Sequence, residues 1–144
     1  MATIWNDDAR AALMQRFDKL TPESKPKWGK FTVSKMVKHC AEAARMAIGE
    51  LAVQPKSGPF RLPVVKHLII FVLPWPHGAP TAPELIPQSE TSLPVAIADL
   101  KGALLRLRSA EKFAAHPAFG KLSRFSWGML VHKHLNHHLR QFGV

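Results

Sequence analysis

Hydrophobic positions recur at three- and four-residue intervals in four stretches of this chain, and nowhere alternate at two-residue intervals over a convincing length. The first stretch is Asn6 to Leu20, NDDARAALMQRFDKL, where Ala9, Leu13, Phe17 and Leu20 mark one face. Asn6 is placed to cap it, and Asp7 and Asp8 in its first turn complement the helix dipole. Thr21 to Lys30 breaks the pattern with two prolines and a glycine and reads as a connection. A second helix is predicted from a cap at Thr32 through VSKMVKHCAEAARMAIGE, with Met36, Cys40, Ala43 and Ala47 as its apolar stripe.

Periodicity then lapses. Nine of the twelve prolines fall between Gln54 and Pro94, and each removes a backbone donor and disfavours helix in the residue before it. A short helix fits within Val64 to Leu73, but the segment as a whole reads as one long crossover, since neither side could form a core alone. Helical spacing returns at Leu93 to Glu111 through Val95, Leu100, Ala103, Leu104 and Leu107. After the turn-rich HPAFGKL, Ser123 is placed to cap a last helix, RFSWGMLVHKHLNHHLRQF. The expectation is an all-α fold over residues 1–144 as a single domain. Its natural architecture is a four-helix bundle with a Pro-rich crossover between the second and third main helices.

Composition changes this picture little. With 47% apolar and 21% charged residues the chain is ordinary for a globular domain. A single cysteine, Cys40, allows no intrachain disulfide, and MATIWNDDARAALMQRF has neither the basic flank nor the apolar core of a secretion signal. Both features point to a cytoplasmic protein. The apolar run Leu62 to Trp75 is too short and too interrupted to span a bilayer, and suits a packed segment, a lid or a dimer contact.

Charge matters more. Twenty lysines and arginines against ten acids give a net charge of +10. The bases are scattered singly with few aromatics among them, which argues against a nucleic-acid partner. No acid follows Glu111, so the last segment is purely cationic and suits an anionic partner or substrate.

Four of the eight histidines lie between His132 and His138. A separation of four returns a helical residue nearly to the same side, so His134 and His138 stack one turn apart, with Trp127, Leu130 and Gln141. The apolar stripe of this helix is Val131, Leu135, Leu139 and Phe142, and the histidine pair sits at its inner edge. His132 points almost opposite, His137 lies on the flank, and Lys133, Asn136 and Arg140 are placed on the far side. The pair offers two ligands. His39, the one histidine of the second helix, is also at the edge of its stripe and is the candidate third. Three neutral imidazoles with one open position can polarise a carbonyl or lower the pKa of bound water. The plain alternative is a half-buried polar edge with no metal. A carboxylate-bridged di-metal site is disfavoured, since the last helix has no acid and only Glu42 lies mid-helix in the second. Cys40 reads as a small packed hydrophobe, His67 and His77 as crossover residues, and His116 as a local hydrogen-bonding group.

The stretches KWGKFTVSKMVKHCAEAARMAIGE and HPAFGKLSRFSWGMLVHKHLNHHLRQFG resemble motifs of the DinB/YfiT-like metalloenzyme superfamily, the second matching the C-terminal signature of an uncharacterised branch. The resemblance implies an up-up-down-down bundle holding one divalent metal through three histidines, which by position are His39, His134 and His138. Members include transferases and isomerases that use low-molecular-weight thiols, and dimers are common. The chain departs from the branch at Asn136, where an acid is frequent. Two functions are therefore in view. One is a metal-dependent transferase, isomerase or hydrolase acting on a small molecule, an anionic thiol among the candidates, with Zn, Ni, Fe or Mn bound and His77, His137 and Gln141 available for substrate contact. The other is a non-catalytic basic helical bundle that binds a partner, nucleic acid among the candidates, or a scaffold dimerising through Val64 to Leu73.

Overall fold

The computed structural model describes all 144 residues and is entirely helical apart from loops and one isolated bridge between His116 and Gly120. Its helices are α1 (Asp7–Phe17), α2 (Val33–Ala47), the short α3 (Pro63–His67), α4 (Leu93–Ser109) and α5 (Arg124–Gln141). Each long helix starts where a side chain can take up an orphan amide. Asn6 Oδ1 accepts from the Ala9 amide at 2.8 Å, Thr32 Oγ1 from Lys35 at 3.3 Å, and Ser123 Oγ from Ser126 at 3.1 Å. Ser92 serves α4 in the same way, and Pro94 sits in that helix's first turn, where its missing N–H costs nothing.

Helix α2 lies along α4 and also meets α5, which packs on α1. Apolar side chains from all four close one core, with Phe17, Met36, Leu100, Leu107, Trp127 and Leu135 fully buried in it. Two stripe assignments shift by a residue. Ala43 is only half-buried, while Ala41 and Ala44 are flush with the interior, because α2 is wrapped by α4 and α5 together and its buried arc is wider than one stripe. Val95 is 59% exposed, and Ala96 takes the inward position at the start of α4. Two residues of α5 expected outside are also engaged. Asn136 Oδ1 accepts from Arg16 of α1 at 2.7 Å, and Lys133 Nζ reaches back to the crossover.

The crossover contains the predicted short helix, which differs in form. After His67 it widens into a π-turn over Leu68–Val72, closed by the Leu73 amide on the Leu68 carbonyl at 2.8 Å. Widening leaves carbonyls poorly paired at its end, and Lys133 Nζ supplies donors to Ile69 O at 2.6 Å and to Leu73 O. No helix is long and apolar enough to cross a membrane.

Two features of the fold give measurable expectations. Trp5 lies across Gly128 of α5, donating Nε1–H to Arg124 O at 2.9 Å, and a Cβ at position 128 would sit 2.1 Å from that nitrogen. The indole cannot step aside without losing its bond and its stack beneath the Arg124 guanidinium at 4.2 Å. Gly128→Ala is expected to destabilise by about 1–3 kcal/mol as an overpacking change, read as a lower Tm in thermal denaturation.

His116, packed on Phe119 and Trp127, accepts the Ala118 and Phe119 amides at Nδ1 (3.1 and 3.2 Å), and burial pushes its pKa down from 6.5 to about 4. The unfolded chain takes up that proton near 6.5 and the folded chain only near 4, so stability falls as pH drops through this window. Chemical denaturation at pH 7 and pH 5 should show the loss, and His116→Asn should make the slope shallower by that histidine's share, the other buried imidazoles supplying the rest.

Candidate metal centre

His39 enters the interior from α2 because the apolar arc on either side of it, Met36 and Cys40, is buried, which leaves the imidazole facing α5. On α5 the four-residue spacing of His134 and His138 sets their rings edge to face, 4.7 Å apart between centroids. The three rings meet. His134 Nε2 lies 3.0 Å from His39 Nε2 and 3.1 Å from His138 Nε2, and all three ligand nitrogens fall within 4.8 Å of one another. No carboxylate or thiolate joins the group.

The back of the cluster determines which nitrogens carry protons. His39 Nδ1 is 2.7 Å from Leu85 O, a carbonyl that can only accept, so Nδ1 is the protonated nitrogen. Gln141 Nε2 donates to the Trp28 carbonyl at 2.8 Å, which turns Gln141 Oε1 toward His138 Nδ1 at 2.7 Å. That nitrogen too is therefore the donor. In the neutral rings, both Nε2 atoms are left with bare lone pairs directed at His134. A single proton on His134 Nε2 can serve only one of them.

Protonating the cluster is no remedy. Burial holds His39 below the ordinary imidazole pKa, partly offset by the Leu85 bond. Burial first and His39 second bring His138 down to about 3, and burial together with both neighbours holds His134 well below the usual value. The donor set matches what a divalent ion requires: three uncharged imidazoles, two of them oriented by acceptors behind the ring. Tetrahedral bonds of about 2.0–2.1 Å to zinc would place nitrogens about 3.3 Å apart, close to the 3.0 and 3.1 Å that separate His134 from its two neighbours.

Aromatic side chains wall the cluster. Phe31 stacks on His39 at 5.1 Å, and Trp75 of the crossover stands 5.8 Å from both His134 and His137. His77, expected to be an exposed loop residue, is exposed but lies flat on Trp28 at 3.6 Å, and His137 meets that indole edge-on at 5.6 Å. Thus the rim consists of Trp28, Trp75, His77 and His137. His132 is half-buried on the other side of α5, beside Arg16, and His67 stays exposed against Phe71. Cys40 is fully buried, its thiol pushed up by burial and its Sγ 3.8 Å from Met36 Sδ, so it acts as core. Glu42 is half-buried with one carboxylate oxygen unpartnered and lies outside the imidazole group.

Helical spacing alone did not reveal Leu85 or the backbone of Trp28, which act through carbonyls that every residue has. Gly29 is the one sequence trace of the second contact. It adopts φ +82°, and a Cβ there would stand 2.7 Å from Gln141 Nε2.

Fold and cluster together define an all-α protein in which three imidazoles, two buried and one half-buried, form a group able to hold a metal ion. Residues 6–143 match the family described as Protein of unknown function (DUF1569), and the chain belongs to that family. No curated protein and no solved structure matches it.

Gln141 is the group through which one loop orients one imidazole. Gln141→Leu is expected to weaken zinc binding by roughly 10- to 100-fold, the usual effect of losing such a partner. Gln141→Glu keeps an acceptor for His138 but loses the donor that anchors the side chain to the Trp28 carbonyl, and should also bind more weakly than the parent chain. Competition titration with a chromogenic chelator reads both, with circular dichroism confirming the fold.

Proposed function

We propose that this chain is a DinB-like metalloprotein, a four-helix bundle of up-up-down-down order in which His39, His134 and His138 hold one divalent ion through their Nε2 atoms. The observation that carries this reading is the pair of acceptors behind the rings: Leu85 O and Gln141 Oε1 leave the lone pairs of His39 and His138 converging on His134 at 3.0–3.1 Å. Buried lone pairs in such proximity repel unless a cation lies between them. Zinc, nickel, iron and manganese all accept imidazole nitrogen, and spacing does not choose among them.

The activity that fits is a metal-dependent transferase, isomerase or hydrolase acting on a small anionic substrate, a thiol foremost. When bound, the metal would supply Lewis acidity, lowering the pKa of a water or a substrate thiol. The chain's own residues do the rest. Phe31 and Trp75 exclude water from two sides of the cluster, which strengthens electrostatic interactions inside it. Trp75 offers apolar surface to a substrate, and His77, stacked on Trp28, and His137, at the rim, offer nitrogens to its polar groups. The acid-free stretch after Glu111 contributes positive potential on the α5 side and favours a carboxylate-bearing substrate. A cytoplasmic location fits a thiol substrate and a single reduced cysteine.

Elemental analysis of protein purified without a histidine tag is expected to show about one equivalent of a divalent transition metal per chain, as a single three-imidazole site implies. His134→Ala combined with His138→Ala should abolish it. Stoichiometric metal that survives the double change would sink the ligand assignment.

A further inference from the structure

Eleven large hydrophobic side chains are exposed, and most of them gather on the crossover and the start of α5. In the short helix and its π-turn, Ile70 is buried and Ile69 half-buried. Val64, Leu68 and Val72, at four-residue intervals, face solvent at 71%, 38% and 60% exposure. The stripe is thus inverted: the helix shows its apolar side outward. Leu62 and Leu73 extend it at either end, and Phe125, 52% exposed, joins it through its stack on Phe71 at 5.8 Å.

The charge around this face is equally lopsided. The run 51–83 that carries the stripe holds three bases, Lys56, Arg61 and Lys66, and no acid. From the turn before α5, Lys121 stands against the segment, and from α5 itself Lys133 bonds its carbonyls. None of these five bases takes part in an ion pair, and all six salt bridges are made by arginines and lysines elsewhere. Beside the stripe, Lys66, His67 and Lys121 line a groove of about 240 Å³.

We propose that this face docks on the surface of an anionic phospholipid bilayer, with Val64, Leu68 and Val72 seated at the boundary between headgroups and acyl chains and the lysines among the headgroups. An apolar stripe rimmed by unpaired cations is the pattern that interfacial segments use, and each base near an anionic surface contributes to the attraction. Lys133 strengthens the fit. By donating to the carbonyls that end the π-turn, it leaves the segment with few unpaired polar groups to desolvate. A second copy of the chain suits the face poorly. A two-fold contact would press one cationic, acid-free surface against its twin, with no carboxylate to answer it.

Co-sedimentation of the full chain with vesicles of phosphatidylserine and phosphatidylcholine in equal parts, against vesicles of phosphatidylcholine alone, tests the proposal. At physiological salt the chain should pellet with the anionic vesicles and stay in solution with the neutral ones. Val64→Asp with Leu68→Asp, both at exposed positions, should lower the bound fraction at least roughly tenfold, as should Lys56→Glu with Lys121→Glu. Zinc content is expected to be unchanged in both variants, which keeps this result separate from the fate of the metal reading. Failure to pellet with anionic vesicles, equal binding to neutral ones, or a dimer in sedimentation velocity that Val64→Asp with Leu68→Asp dissolves would each overturn it.

Discussion

Three uncharged imidazoles packed nitrogen to nitrogen inside a protein form an arrangement that must be held in place. Their contacts at 3.0 and 3.1 Å offer at most one good hydrogen bond. What holds them is behind the rings: the carbonyl of Leu85 on His39, and on His138 a glutamine itself anchored to the carbonyl of Trp28. The two loops that carry those carbonyls lie far apart in the chain, one before α2 and one before α4. Site geometry therefore depends on where irregular backbone is placed, and the helices serve to keep that backbone fixed.

This division explains what could be read from the sequence. Periodicity and capping chemistry are local, so Asn6, Thr32 and Ser123 could be recognised as helix starts, and the spacing of His134 and His138 put them on one side of α5. Facing between helices is less local. His39 was selected by its position at the edge of the α2 stripe, and the fold brings it opposite the α5 pair. The contacts that orient the rings left almost no sequence signal, because a backbone carbonyl has no residue type. Only Gly29, whose left-handed conformation and tight approach to Gln141 admit no side chain, marks one of them.

The misplacements have a common cause. A helical wheel puts Lys133 and Asn136 on the far side of α5 from the apolar stripe, yet α5 is bordered by the crossover and by α1 on those sides. Arg16 reaches between helices to Asn136 and to the Val144 carbonyl, a position where an acidic residue would make an ion pair in place of a neutral hydrogen bond. The exposed Val95 is the opposite case: a residue on the predicted stripe that faces solvent, while Leu93 and Ala96 of the same turn are buried. A wheel records which residues share a side of a helix; the number of sides that become buried is set by the neighbours.

His39 and His134 are separated by 95 positions, and their contact closes nearly two thirds of the chain into one loop. The loop it closes contains the crossover, α4 and the first part of α5. A cation shared by these rings would therefore act as a cross-link across that span, and the chain entropy it removes from the unfolded state would add to the stability of the fold.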